Sequence, residues 1–127
     1  MYNVSIKLLY LYQQKGTITI KIKVMKTTDI KTVDINTMTW FDRVNGNTYF
    51  AQKITLNYGM NDEITLFNPF QYGYSSFEVF AFDFLRRNGF FENEPHPYWQ
   101  ISENHNIIVR SNVHKNCRKR ELIHIAD

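Results

Sequence analysis

The chain has 127 residues, 43% of them hydrophobic and 21% charged, which fits one folded domain and excludes disorder as its global state. The formal charge of +3 is segregated: residues 1–39 carry six lysines against Asp29 and Asp34, residues 40–109 are net acidic, and residues 110–127 carry five basic side chains against Glu121 and Asp127. The single cysteine, Cys117, excludes an internal disulfide, and with no signal-peptide pattern and no apolar run of roughly 18 residues, a soluble cytoplasmic protein without membrane contact is expected.

Val4, Ile6, Leu8, Tyr10 and Tyr12 occupy every second position, and Ile18, Ile20, Ile22 and Val24 do the same beyond residues 13–16. Period two is the strand period, so residues 4–24 predict an antiparallel hairpin with one apolar face. Met25 follows, and the motif-bearing part of the chain lies beyond it. The expected organisation is one domain, residues 1–127, with an N-terminal hairpin extension (1–25) on a core module (26–127). Residues 32–41, rich in Thr, Val and Ile, predict a strand. Asn45-Gly46 predicts a type I′ turn, residues 48–58 the return strand, and residues 63–67 a short third strand that Pro69 ends. Gly73 permits a bend between Tyr72 and Tyr74. Ser75 and Glu78 match a capping box that opens a helix over residues 76–88, with Arg86 and Arg87 in its last turn and Gly89 at the C′ position. Residues 90–99, broken by Pro95 and Pro97, predict a loop; 106–113 and 122–125 predict strands around a basic segment. The expected fold is α+β: a mostly antiparallel sheet of about six strands with one aromatic helix packed on one face.

Ten of the 25 residues from Phe67 to Phe91 are aromatic, so the helix has to be sorted into core and surface. At 100° per residue, Phe77, Phe80, Ala81, Phe84 and Leu85 form one stripe that faces the sheet. Val79 and Phe82 point the other way, among Glu78, Asp83 and Arg86. An exposed phenylalanine four residues before an arginine has the composition of an interface anchor, so Val79, Phe82 and Arg86 are expected to bind a partner.

The chemistry-bearing residues argue for attachment rather than catalysis. His114, Cys117 and His124 fit no zinc spacing. Cys117 has basic neighbours that would lower a thiol pKa, yet no orienting group accompanies it. Asp42, and the triplet Asp29-Ile30-Lys31, are the weak candidates for a metal-dependent nuclease or other hydrolase, with His96 or His114 as helpers of Asp42. No catalytic residue, metal or cofactor is therefore expected. Arg110, Lys115, Arg118, Lys119 and Arg120 crowd the end of the chain, joined by Lys7, Lys21 and Lys23 of the hairpin. This is the charge that contacts phosphate or another acidic surface. Tyr72 and Tyr74 are candidate stacking platforms for bases.

Three stretches, TWFDRVNGNTYFAQKI (residues 39–54), PFQYGYSSFEVFAFDFL (69–85) and NIIVRSNVHKNCRKREL (106–122), resemble a family of small uncharacterised proteins of phages and other bacterial mobile elements. The resemblance spans about residues 38–123 and carries no known activity. The hairpin is extra to the pattern, and Ser75-Ser76 follow Tyr74 where the pattern leads one to expect glycine. What it implies is a setting, the bacterial cytoplasm. There, a binding protein that docks on a host nucleoprotein or defence effector and inhibits it, anti-CRISPR-like, is the leading expectation. A direct nucleic-acid-binding module is the first alternative.

Overall fold

A computed structural model describes the backbone of Leu8–Gln14 and Thr17–Lys23 and all of residues 25–127. Within it, β1 (Leu8–Gln14) and β2 (Thr17–Lys23) pair antiparallel as a separate two-stranded sheet, with Gln14 opposite Thr17. Residues 1–7, Lys15, Gly16 and Val24 lie outside the described residues, as do the hairpin's side chains and hence its expected apolar face and its lysines.

The main sheet holds β3 (Thr32–Asp42), β4 (Asn47–Leu56), β5 (Ile64–Tyr72) and β6 (Ile108–His114) in the order β5-β4-β3-β6. The first three form the meander expected from the sequence. The last, β6, runs parallel to β3, with Thr32 opposite Ile108. The fold is α+β, but the single mostly antiparallel six-stranded sheet is corrected to a mixed four-stranded sheet plus a hairpin.

Strand β3 alternates buried and half-buried residues from Thr32 to Trp40. Val33, Ile35, Thr37 and Thr39 of β3 stand opposite Leu56, Ile54, Gln52 and Phe50 of β4, all buried. Strand pleating puts them on one side. On that side lie α1 (Phe77–Arg87), α2 (Tyr98–His105) and the 3-10 turn Thr27–Asp29, which share a core with Met25, Ile30, Ala81, Leu85, Phe90, Phe91, Ile101 and Ile107. A third helix, α3 (Lys119–Ile123), touches β3, β4 and β5, and its Leu122 is fully buried. Lys119 of this helix sits over Trp40, on the sheet face opposite the main core. Two helices beyond the expected one are therefore present. The strand expected at 122–125 is α3, and α2 begins inside and runs past the loop expected at 90–99.

Several local signals read true and several did not. Gly89, at φ 88°, closes α1 with both bonds of a Schellman motif: Phe90 N–H donates to Leu85 C=O at 2.9 Å and Gly89 N–H to Arg86 C=O at 3.0 Å. The capping box does not form. The N-cap is Ser76, not Ser75, and its hydroxyl donates to the Glu78 carboxylate at 3.1 Å instead of capping the backbone. The type I′ turn is replaced by a four-residue loop, because the Asp42 carboxylate gathers the loop's donors and only Gly46 takes positive φ. Pro69 does not end β5. It lies at an edge-strand bulge: Gln52 pairs with Asn68 and Phe50 with Gln71, so two residues of β5, Pro69 and Phe70, stand against one of β4, Ala51. Asn57 takes φ 54° after the end of β4, and its buried amide accepts from Lys31 N–H at 2.6 Å and donates to Asp29 C=O at 2.8 Å.

The helix stripe is confirmed for Phe77, Ala81 and Leu85, with Phe80 and Phe84 half-buried. Phe82 corrects it. The chain after α1 folds back over the far side of the helix, so Phe82 is 1% exposed, stacked on Phe91 at 5.3 Å and tilted against Tyr98 at 5.6 Å. A helical wheel of one element cannot see that second layer. Phe82→Ala is expected to cost about 3–5 kcal/mol in chemical denaturation, as for a large buried ring, while Val79→Ala, at an exposed site, stays within about 0.5 kcal/mol.

Candidate functional site

The strand register that buries Val33 through Thr39 turns the alternate residues to the other face. There Trp40 stands opposite Tyr49, and Tyr49 opposite Tyr72. The β5 bulge matters here. With Asn68 and Gln71 both turned to the core side, the parity of the strand flips, and Phe70 and Tyr72 reach the outer face. The result is a row of rings across three strands. Trp40 stacks on Tyr49 at 5.5 Å and 29°, and Tyr49 on Phe70 at 5.1 Å and 8°. Tyr72 meets Tyr49 edge-on at 5.6 Å and 72°. The Lys119 ammonium lies 5.6 Å from the Trp40 ring centre, a cation–π distance.

The rings are clustered. Trp40, Tyr49 and Phe70 are in mutual contact, the Trp40 and Phe70 centres 6.5 Å apart, so these inner rings are structural, as cross-strand aromatic pairs usually are. Tyr72, held edge-on, is 66% exposed. At the same end of the sheet but toward its helix-covered face are the exposed rings of Phe41, one residue out of phase with Trp40, and Tyr74, edge-on to Phe77 at 5.5 Å. Gly73 joins the two tyrosines at φ 153°. A Cβ there would meet Phe50 at 3.1 Å and Phe80 at 3.2 Å, so glycine lets the chain pass close over the core.

The neighbouring loop is tied by Asp42. Its Oδ1 accepts from Val44 N–H at 3.0 Å and Asn45 N–H at 3.4 Å, and its Oδ2 from the Asn45 amide at 2.8 Å. The Asn45 side-chain bond, helped by those N–H groups and the charge of Lys119, holds the Asp42 carboxyl below its usual range against the opposing effect of burial. Asp42 is thus a turn residue with its oxygens engaged. Asp29 caps the backbone of Lys26 at 3.0 Å, beyond the far end of the eleven-residue β3, about 30 Å away. The two carboxylates weighed for a nuclease do not meet.

The basic residues separate in the same way. Arg110 makes a bidentate pair with Asp34, at 2.5 and 3.0 Å, which also raises its pKa. Its charge is paired across two strands at the surface, so it is not an unpaired cation. Arg86 donates to Asp83 at 3.2 Å and to the His96 carbonyl, and its Nε is buried with no partner among the described residues. With Phe82 buried as well, the three-residue anchor expected on the helix is reduced to Val79, 45% exposed. Lys115, Arg118, Lys119 and Arg120 are exposed. Lys119 is the one among them that the structure brings to the aromatic row. Arg43, which the sequence reading did not single out, is exposed in the loop beside it.

Cys117 is half-buried. Burial, together with the charge of Glu121, pushes the thiol up, opposite to the lowering its basic neighbours suggested. Its N–H donates to Thr39 C=O at 3.0 Å, which carries the chain from β6 across to α3. Among the described residues, no group of three or more His, Cys, Asp or Glu could hold a metal, and no helix is long and apolar enough to cross a membrane.

The three sequence stretches quoted above therefore converge. Trp40 and Tyr49 come from the first, Phe70 and Tyr72 from the second, and Lys119 from the third. Compared with protein-family models, curated proteins and solved structures, the chain shows no match in any of the three.

Because the Asp42 carboxyl sits below its unfolded value, its ionised form stabilises the fold. That contribution is present above the unfolded pKa, ~3.9 for aspartate, and is lost as the pH falls through the folded value. Asp42→Ala is expected to be less stable than wild type at neutral pH in urea titrations, with the gap closing progressively below about pH 4.

Proposed function

We propose that this is a non-catalytic binding protein that holds single-stranded nucleic acid, free or within a host nucleoprotein, on the aromatic and basic end of its sheet. The observation that carries the reading is the junction of Tyr72 and the ring cluster of Trp40, Tyr49 and Phe70 with Lys119 on one face. Exposed rings give bases a stacking surface that does not depend on sequence, and nearby mobile cations meet the phosphates. Tyr72 is the stacking residue of that face in this reading, with Tyr74 and Phe41 at the same end of the sheet toward the other face. Lys119, with Arg118, Arg120, Lys115 and Arg43, supplies the charge. The rigid row beneath Tyr72 keeps that ring outward in the absence of a ligand, which lowers the ordering cost of binding.

The resemblance to phage and mobile-element proteins supplies the setting, a bacterial cytoplasm. In that setting a nucleic-acid grip is the means by which a small protein occupies an RNA-bound defence effector. Burial of Phe82 removes the main support for an apolar helix anchor on a protein partner, which is why the nucleic-acid reading is preferred here to docking through α1.

Fluorescence anisotropy with a labelled single-stranded oligonucleotide tests this. Binding is expected to weaken steeply with salt. Tyr72→Ala should cost about 1–3 kcal/mol of affinity, and Lys119→Ala should lower the salt slope by about one. Arg110→Ala should leave the affinity unchanged. No binding to RNA or DNA at low salt, alongside co-purification of one host protein, would sink the proposal and restore the protein-directed inhibitor.

A further inference from the structure

The two edges of the main sheet differ. At the β5 edge stand Pro69 and the bulge, both devices that keep a strand from pairing further. At the other edge, β6 has no proline and pairs with β3 without a register shift. Its one permanent charge, Arg110, is neutralised by Asp34. Six of its seven side chains are exposed, including Ile108 at 57% and Val113 at 39%, and only Val109 packs on the main core. Among the described residues, nothing pairs with its free side.

The direction of its backbone groups follows from one bond. Ile108 N–H donates to Lys31 C=O, toward β3, at 3.0 Å. N–H and C=O of one residue share a side in an extended strand, and successive residues alternate. Ile108, Arg110, Asn112 and His114 therefore bond inward, and Val109, Ser111 and Val113 present their N–H and C=O to the open edge.

We propose that this edge is a dimer interface, in which two copies of the chain join their β6 strands antiparallel about a two-fold axis at Ser111 to form one eight-stranded sheet. The strand is self-complementary in that register. Ser111 faces Ser111 of the second copy, and Val109 faces Val113, so every outward N–H and C=O finds a partner in a hydrogen-bonded pair. Val109 and Val113 make two apolar cross-strand pairs on one side of the sheet. On the other, Ile108 faces His114 and Arg110 faces Asn112, so no like charges stand opposite each other. A two-fold contact of this kind closes on itself and stops at two copies. Seven residues of backbone pairing make a small interface, the class of weak and reversible association.

Sedimentation velocity from micromolar to near-millimolar concentration should show a concentration-dependent dimer. Amide exchange at Val109, Ser111 and Val113 should slow over the same range. Because residue 111 faces itself, Ser111→Lys and Ser111→Glu should each abolish the dimer at unchanged melting temperature, and mixing the two variants should restore it as a heterodimer. A chain that stays monomeric throughout overturns the proposal. So does a dimer that both variants leave intact, or edge amides that are protected equally at every concentration.

Discussion

A buried glutamine sets the parity of the sheet. Gln52 lies at the middle of β4 with no exposed surface, and its amide N–H groups donate to the Thr37 hydroxyl at 3.1 Å and to the Phe77 carbonyl at 2.8 Å. Its oxygen accepts from Asn68 at 2.8 Å, and Asn68 accepts in turn from Gln71 at 2.7 Å. Three strands and the first residue of α1 are joined through one side chain. In a low-dielectric interior an unmade bond of this kind is costly, so the network tolerates only one register. A one-residue slip would point Gln52 at the opposite face and leave its partners unsatisfied.

Everything proposed about binding follows from that parity. If Gln52, Phe50 and Ile54 face the main core, Tyr49 must face the other way, opposite Trp40. The bulge at Pro69 then re-aims β5 so that Gln71 stays with the amide network while Tyr72 joins the rings. The chain spends its buried polar groups and its bulge on the same four residues, Asn68 to Gln71. Stability and the presentation of Tyr72 are thus coupled. On the far side, Cys117 and Leu122 seat the last helix, and its Lys119 arrives over Trp40 because the helix is short and anchored at both places.

Much of this was legible before any coordinates. The alternation in residues 32–41 and 48–58 marks two strands that pair, and Gly89 marks the end of α1. Tyr72 and Lys119 are both legible as candidates in the sequence, but nothing local places them together, since they lie 47 positions apart. Trp40, Tyr49 and Phe70 were missed as site residues. Each reads as an ordinary strand aromatic until the register aligns them. Phe82 was misread because amphipathic periodicity assumes one buried face, whereas α1 is covered on two. Helix α3 was misread as a strand because Leu122, Ile123 and Ile125 are β-formers, and a five-residue helix has too few turns to show a period. Arg110 looked like a free cation because its partner, Asp34, is 76 residues away.

The sequence by itself determined what short-range chemistry determines: where strands alternate, where a glycine must take positive φ, and that the fold mixes a sheet with an aromatic helix. Those are properties of a few neighbouring residues. Tertiary structure alone decided which rings share a face, which charges are already paired, and which strand edge is left open. Each of those depends on pairing between segments far apart in the chain, where register is chosen by buried hydrogen bonds and packing that no local window contains.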